Sequence, residues 1–318
     1  MKFFTRNKKI IAPLALLILV IGVAMTVFHS QQTQQHAAGS GYPASEGHIY
    51  WDGGWETGDT SQWADCCHVG GHWGNSSIHI VTSPVRWGTY AAKLTLNPSS
   101  KSDARAEISA SQEETGGYTG QEWFYSFSVY FPSNPDQTTG WDDWNNFTQW
   151  MDMRANCSPP LQFDVTKDSR LIFHWELATQ EEDNCGYGTL PTKDYELGAI
   201  VYDQWIDFTA HIKWSEDPNV GFAQVWRNGQ EVVPLTHMQT LDSNSQGVYM
   251  EQAMYRPTTS GTSIIYIDGT RRHDAYGGGV IAPVPTLQPA TILTPTGKWF
   301  RQRWRQWQCT ASMPIPAA

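Results

Sequence analysis

A chain of 318 residues with a formal charge of −10 has room for one large domain plus extra segments, and its acidity excludes a protein that binds nucleic acid over its whole surface. Simple electrostatic capture of a polyanion is excluded on the same ground, so an acidic ligand needs a locally basic groove. Only 16% of residues are charged, while Trp, Tyr and Phe number 16, 13 and 12, a mixture that suits a β protein handling flat, hydroxylated ligands.

At the N-terminus Lys2, Arg6, Lys8 and Lys9 precede an apolar run from Ile10 to Phe28. Residues 1–28 therefore read as a secretory signal or an uncleaved signal anchor, with Ala37-Ala38-Gly39 as a possible processing point. The expected location is secreted or extracellular, and the only expected membrane contact is that anchor. Residues 29–46, rich in Gln, Ala, Gly and Ser, read as a linker. The five cysteines fit export. Cys157 and Cys185 could staple a loop, whereas the adjacent Cys66 and Cys67 cannot readily pair with each other, so one reaches Cys309 or stays free. No C-x-x-C spacing appears, and zinc is the weaker reading.

Residues 47–274 are patterned as all-β. Short alternating runs are divided by Gly, Pro, Asn and Asp turns. Expected strands are Ile78–Val81, Tyr90–Leu96, Arg105–Ser109, Trp123–Phe131, Asn146–Met151, Leu161–Val165, Leu171–Glu176, Trp205–Trp214, Gly221–Arg227, Glu231–Val233, Gly247–Tyr255 and Ser263–Asp268. Asn228-Gly229 predicts a two-residue hairpin. No helical period is sustained over three turns outside the leader. Many strands at short spacing predict a β-jelly-roll sandwich of two antiparallel sheets. In residues 275–318 a Gly/Pro-rich linker leads to a segment alternating Trp with Arg, either a loosely docked tail or a basic aromatic patch for a membrane surface or polyanion.

In an extended Tyr249–Arg256, alternation puts Tyr249, Glu251, Ala253 and Tyr255 on one face and Met250, Gln252, Met254 and Arg256 on the other. Two phenols and a carboxylate suit a wet, functional surface. Arg105-Ala106-Glu107 and Gln149-Trp150-Met151 offer polar side chains in the same way, and the three segments read as the floor of one groove. Glu107, Tyr249 and Glu251 are expected to face substrate. Trp144 and Trp150, with Trp141, flank an Asp/Asn-rich loop and form a candidate sugar-stacking platform. Trp205 and Trp226 read as packing.

The segments Trp51–Asp59, Ser83–Leu94, Ala104–Ile108, Phe131-Pro132, Gln149-Trp150, Trp205–Phe208, Gly221–Gly229, Tyr255-Arg256 and Tyr266–Asp268 follow one another in a telling order. The series resembles the heparin lyase I / glucuronan lyase-like group of concanavalin-like polysaccharide lyases, related to alginate lyases, over about residues 48–274. That resemblance implies a concanavalin-like jelly roll and β-elimination at a uronic acid within an acidic polysaccharide such as glucuronan, heparin or alginate. A structural Ca²⁺ is also implied, and a monomer is expected. The reaction needs the sugar carboxylate neutralised, the C5 proton taken by a base, and the leaving oxygen protonated by an acid. By the resemblance Tyr255 is the acid and a candidate base, while Arg105 and Gln149 hold the carboxylate. The competing readings are a rim tyrosine, an Arg105–Glu107 salt bridge and a sheet-surface amide. Arg256, on the other face, reads as structural.

Two positions depart from the family pattern. Met151 stands where a histidine is usual, and Glu251 stands where a basic residue is usual. His174 on a neighbouring strand is the candidate stand-in base, against the reading of a packed core histidine; His72 and His211 are weaker candidates. These departures keep open a non-catalytic carbohydrate-binding protein on the same fold. A glycoside hydrolase needs two carboxylates about 5–9 Å apart, and Glu107 with Glu251 is the obvious pair. For the Ca²⁺, Glu56 and Asp268 come first and Asp52 next, because first and last strands lie side by side in this fold and carboxylates make a hard oxygen shell. The alternative is that they are solvated turn acids.

Overall fold

In a computed structural model the described residues are 48–63, 76–98, 104–133, 141, 144–154, 157–177, 191–257, 261–276 and 292–293. They form a β-jelly-roll sandwich of two antiparallel sheets. The larger sheet runs β12 (Gln230–His237), β11 (Phe222–Arg227), β10 (Trp205–Lys213), β5 (Glu122–Tyr130), β14 (Ser263–His273), β3 (Ala91–Leu96) and β2 (Ser77–Val81), with β1 (Ile49–Asp52) also on β14. The other sheet runs β15 (Ile292–Leu293), β9 (Thr192–Ala199), β8 (Arg170–Glu176), β7 (Leu161–Val165), β6 (Asn145–Asp152), β13 (Val248–Arg256) and β4 (Ala104–Ser109).

Period-2 patterning builds the core. On β10, Ile206, Phe208, Ala210 and Ile212 are buried while their neighbours are half-exposed. Phe127 and Phe208 of the larger sheet meet Phe163 of the other, with ring centres 5.1 and 5.2 Å apart. Each such ring is worth about 1.5–3 kcal/mol in burial. The Asn228-Gly229 hairpin forms as its residues demand, with φ of 51° and 75° between β11 and β12.

Beyond the expected strands lie β1, β9, β15 and one short helix. β9 reads poorly as a strand because its outward positions carry Asp194 and Glu196 and only Tyr195 and Leu197 enter the core. Helix α1 (Gln112–Thr115) is a single turn held by a capping box between Ser111 and Glu114. Trp205 and Trp226 pack outside the core, half-buried beside Tyr130 and Tyr276. Cys157 is disulfide-bonded. The leader, the 29–46 linker, His72, Cys66, Cys67, Cys185, Cys309 and the Trp/Arg segment lie outside the described residues. Among the described residues no helix is long and apolar enough to cross a membrane.

Candidate active site

Pairing in the smaller sheet brings the three expected floor segments together. Tyr255 on β13 lies opposite Arg105 on β4 and Asn146 on β6. Glu251 lies opposite Ser109 and Gln149, and Tyr249 opposite Met151. The Arg105 guanidinium sits 4.7 Å from the centre of the Tyr255 ring, and its Nη1 donates to Glu107 Oε1 at 3.2 Å. Arg105 thus makes the Glu107 pair and also covers the phenol. Trp144 meets Tyr255 edge-on at 5.1 Å, so the tyrosine is only 1% exposed. Arg256, on the far face, donates to the Gly261 carbonyl at 3.0 Å and is structural.

Gln149 Nε2 donates to Glu251 Oε2 at 2.5 Å. One of its two amide hydrogens is therefore spent on the carboxylate that replaces the family's basic residue. Gln149 Oε1, Glu107 Oε2 and Asn146 Oδ1 are buried acceptors with no hydrogen-bond partner among the described residues. An unmet buried acceptor costs about 1–3 kcal/mol, and the hydroxyls of a sugar would satisfy it.

The sequence profile described as polysaccharide lyase matches residues 55–271. The chain belongs to the polysaccharide lyase family. Among solved structures, an endo-β-1,4-glucuronan lyase from the fungus Trichoderma reesei is similar at 19% identity and a TM-score of 0.53, covering 65% of this chain and 93% of that one. A marine alginate lyase from Aplysia kurodai is 11% identical, with a TM-score of 0.41 over 61% of this chain and 86% of that one. The likeness to the fungal structure concerns the fold. No curated protein matches in sequence.

His174 of this lyase-family chain does reach the site face, across from Gln162 on β7, but not as a free base. Its Nδ1 lies 2.5 Å from Asp194 and its Nε2 3.2 Å from Glu176. Burial alone would lower its pKa; the hydrogen bonds to Asp194 and Glu176 and the charge of Asp164 outweigh it and raise it to about 10. Both ring nitrogens face carboxylates, which favours the charged ring and weighs against the expectation that His174 stands in as base.

Trp150 needs a second correction. It is 0% exposed, packed against Tyr125 at 4.9 Å, and so belongs to the core and not to a sugar platform. Trp141 is also core, 4% exposed, so of the three only Trp144 borders the site. His211 lies on the larger sheet, stacked on Phe124 at 3.9 Å and bonded to Glu122 at 2.8 Å.

Sequence reasoning missed Asn146, Gln162 and Asp164. Their signal was present: in LQFDV, Leu161, Phe163 and Val165 are core, so Gln162 and Asp164 face outward with the site. Asn146 Nδ2 donates to Asp164 Oδ1 at 3.0 Å and to Gln162 Oε1 at 3.3 Å. Burial raises the Asp164 pKa to about 6, against the lowering pull of His174 and Asn146.

Of the expected calcium ligands, Asp52 pairs with Arg271, whose Nε and Nη2 lie 3.0 and 2.8 Å from its Oδ2. Glu56 accepts from the Thr89 and Tyr90 amides, and Asp268 from those of Arg86, Trp87 and Gly269. Burial lifts the Asp268 pKa to about 8 despite those bonds, and the charge of Glu56 adds to the rise. The buried Asp268 and the exposed Glu56 repel each other, and such a pair of carboxylates fits a hard divalent cation. The Asp152–Cys157–Asp242 cluster does not fit one, since the cysteine is disulfide-bonded and Arg154 already pairs with both acids.

Proposed function

We propose that this chain is an exported lyase that cleaves a uronate-containing polysaccharide by β-elimination. The observation that carries the reading is the guanidinium of Arg105 over the ring of Tyr255 on one polar sheet face. A uronate lying there has its carboxylate neutralised by Arg105, which makes the C5 proton acidic. The Tyr255 phenol donates its proton to the departing glycosidic oxygen. Gln149, fixed by Glu251, orients the sugar through its acceptor oxygen, and Glu107 holds Arg105. Tyr249 and Trp144 border the bound chain.

The ligand class is an acidic polysaccharide; glucuronan is the leading candidate because the similar fungal structure is a glucuronan lyase. Glu56 and Asp268 would hold a structural Ca²⁺, which would supply positive charge to the two carboxylates. The protein acts outside the cell as a monomer, free or held by its N-terminal segment.

Product chemistry tests this reading. Elimination leaves fragments with an unsaturated uronate at the new non-reducing end and no added water. Hydrolysis by a Glu107–Glu251 pair would add one water per cleavage, and mass spectrometry separates the two.

A further inference from the structure

We propose that Asp164 is the proton acceptor of the elimination, positioned by Asn146. The inference rests on the lyase reading above. Elimination needs a group to take the C5 proton, and most candidates on this face are committed. Met151 has no basic atom. Both ring nitrogens of His174 are engaged by carboxylates, Nδ1 2.5 Å from Asp194 and Nε2 3.2 Å from Glu176. Glu107 is ion-paired with Arg105, and Glu251 accepts from Gln149. Asp164 is held by a neutral amide instead, Asn146 Nδ2 at 3.0 Å.

Its position suits the task. Tyr255, Asn146 and Asp164 form one row across β13, β6 and β7. Adjacent strands lie about 4.8 Å apart, so a sugar ring over Asn146 has the phenol on one flank and the carboxylate on the other. The buried Asn146 Oδ1, without a partner among the described residues, is an acceptor for a hydroxyl of that same sugar.

The proton account closes. The Asp164 carboxylate takes the C5 proton, and the C5–H electrons become the C4=C5 double bond. The C4–O bond breaks, and the oxygen leaves with the phenolic proton of Tyr255. Asp164 then loses its proton to water and Tyr255 regains one.

The groups facing Asp164 are Asn146 and Gln149 on β6, Tyr255 and Glu251 beyond them on β13, His174 and Glu176 on β8, and Asp194 on β9; Glu196, also on β9, is ion-paired with Arg170. The single imidazolium offsets part of the negative charge. A carboxyl pKa near 6 in this setting suits a base that works near neutrality.

The test uses the full chain and its most responsive polymer. Asp164→Asn should lower kcat by about 100-fold or more while polymer binding and thermal midpoint stay near wild type. The acid limb of the kcat/KM profile should vanish with it. Asn146→Ala removes a donor to the carboxylate, so the acid limb should move to higher pH. This second variant decides the matter even where Asp164→Asn folds poorly. Wild-type turnover in Asp164→Asn, or an unmoved acid limb in Asn146→Ala, would overturn the assignment of Asp164 and leave the lyase reading standing. No unsaturated product from wild type on any polymer would overturn both.

Discussion

Arg105 and Tyr255 lie directly opposite each other on β4 and β13, with the guanidinium 4.7 Å from the ring centre. The arrangement needs both the hydroxyl and the ring. Tyr255→Phe keeps the ring under Arg105 and removes the transferable proton. Its kcat should fall by about 100-fold or more with the thermal midpoint nearly unchanged. Steady-state kinetics beside a melting curve check this.

Arg105→Lys keeps the charge and loses the planar fork that Glu107 holds. The account predicts a raised KM together with a lowered kcat, since the carboxylate is neutralised both in the bound substrate and in the transition state. An unchanged kcat/KM would remove Arg105 from the site.

The charge state of His174 is a stability statement. Its folded pKa is raised from 6.5 to about 10, so its contribution is full below pH 6.5 and lost as pH rises through about 10. Denaturant titrations from pH 6 to 10 should show falling stability in wild type and a weaker fall in His174→Gln. Parallel slopes would contradict the buried imidazolium.

Asp268 titrates in the opposite chemical sense with the same direction of loss. Its folded pKa is raised from 3.8 to about 8, so without a cation stability falls as pH climbs from about 4 to 8. Calcium favours the ionised carboxylate and should flatten that slope. At a hundred times its Kd, calcium should add about 2.7 kcal/mol. Chelation should lower the thermal midpoint in wild type and in Asp52→Ala, but not in Asp268→Asn.

Trp150 and Trp144 of the expected platform should separate cleanly. Trp150→Ala opens the core beside Tyr125 and should cost about 3–5 kcal/mol in equilibrium unfolding. Trp144→Ala should cost about 0.5 kcal/mol or less and act on KM instead, because the ring is half-buried at the site's edge.

Much of this site can be read in the chain, because period-2 alternation alone puts Tyr255, Glu251 and Tyr249 on one face and Arg105 with Glu107 on another strand's face. Alternation also assigns Trp150 away from Gln149, so its place in the core was available from the same rule. What could not be read is register. Asn146 and Gln149 are three apart, and they share a face only because β6 is irregular between Asn146 and Thr148. That irregularity brings Asn146 level with both Tyr255 and Asp164. The Asp52–Arg271 pair likewise depends on β1 docking on β14, a contact spanning most of the domain. The acids that hold His174 come from β8 and β9, the latter a strand whose charged outward face hides it among loops.

The most direct test is the absorbance of 4,5-unsaturated uronates when purified protein meets glucuronan, alginate, heparin and pectin. The account predicts a steady rise on at least one polymer that is absent with Tyr255→Phe. Flat traces on every polymer, with binding to one of them intact, would contradict it and mark Met151 and Glu251 as signs of a protein that holds sugar without cutting it.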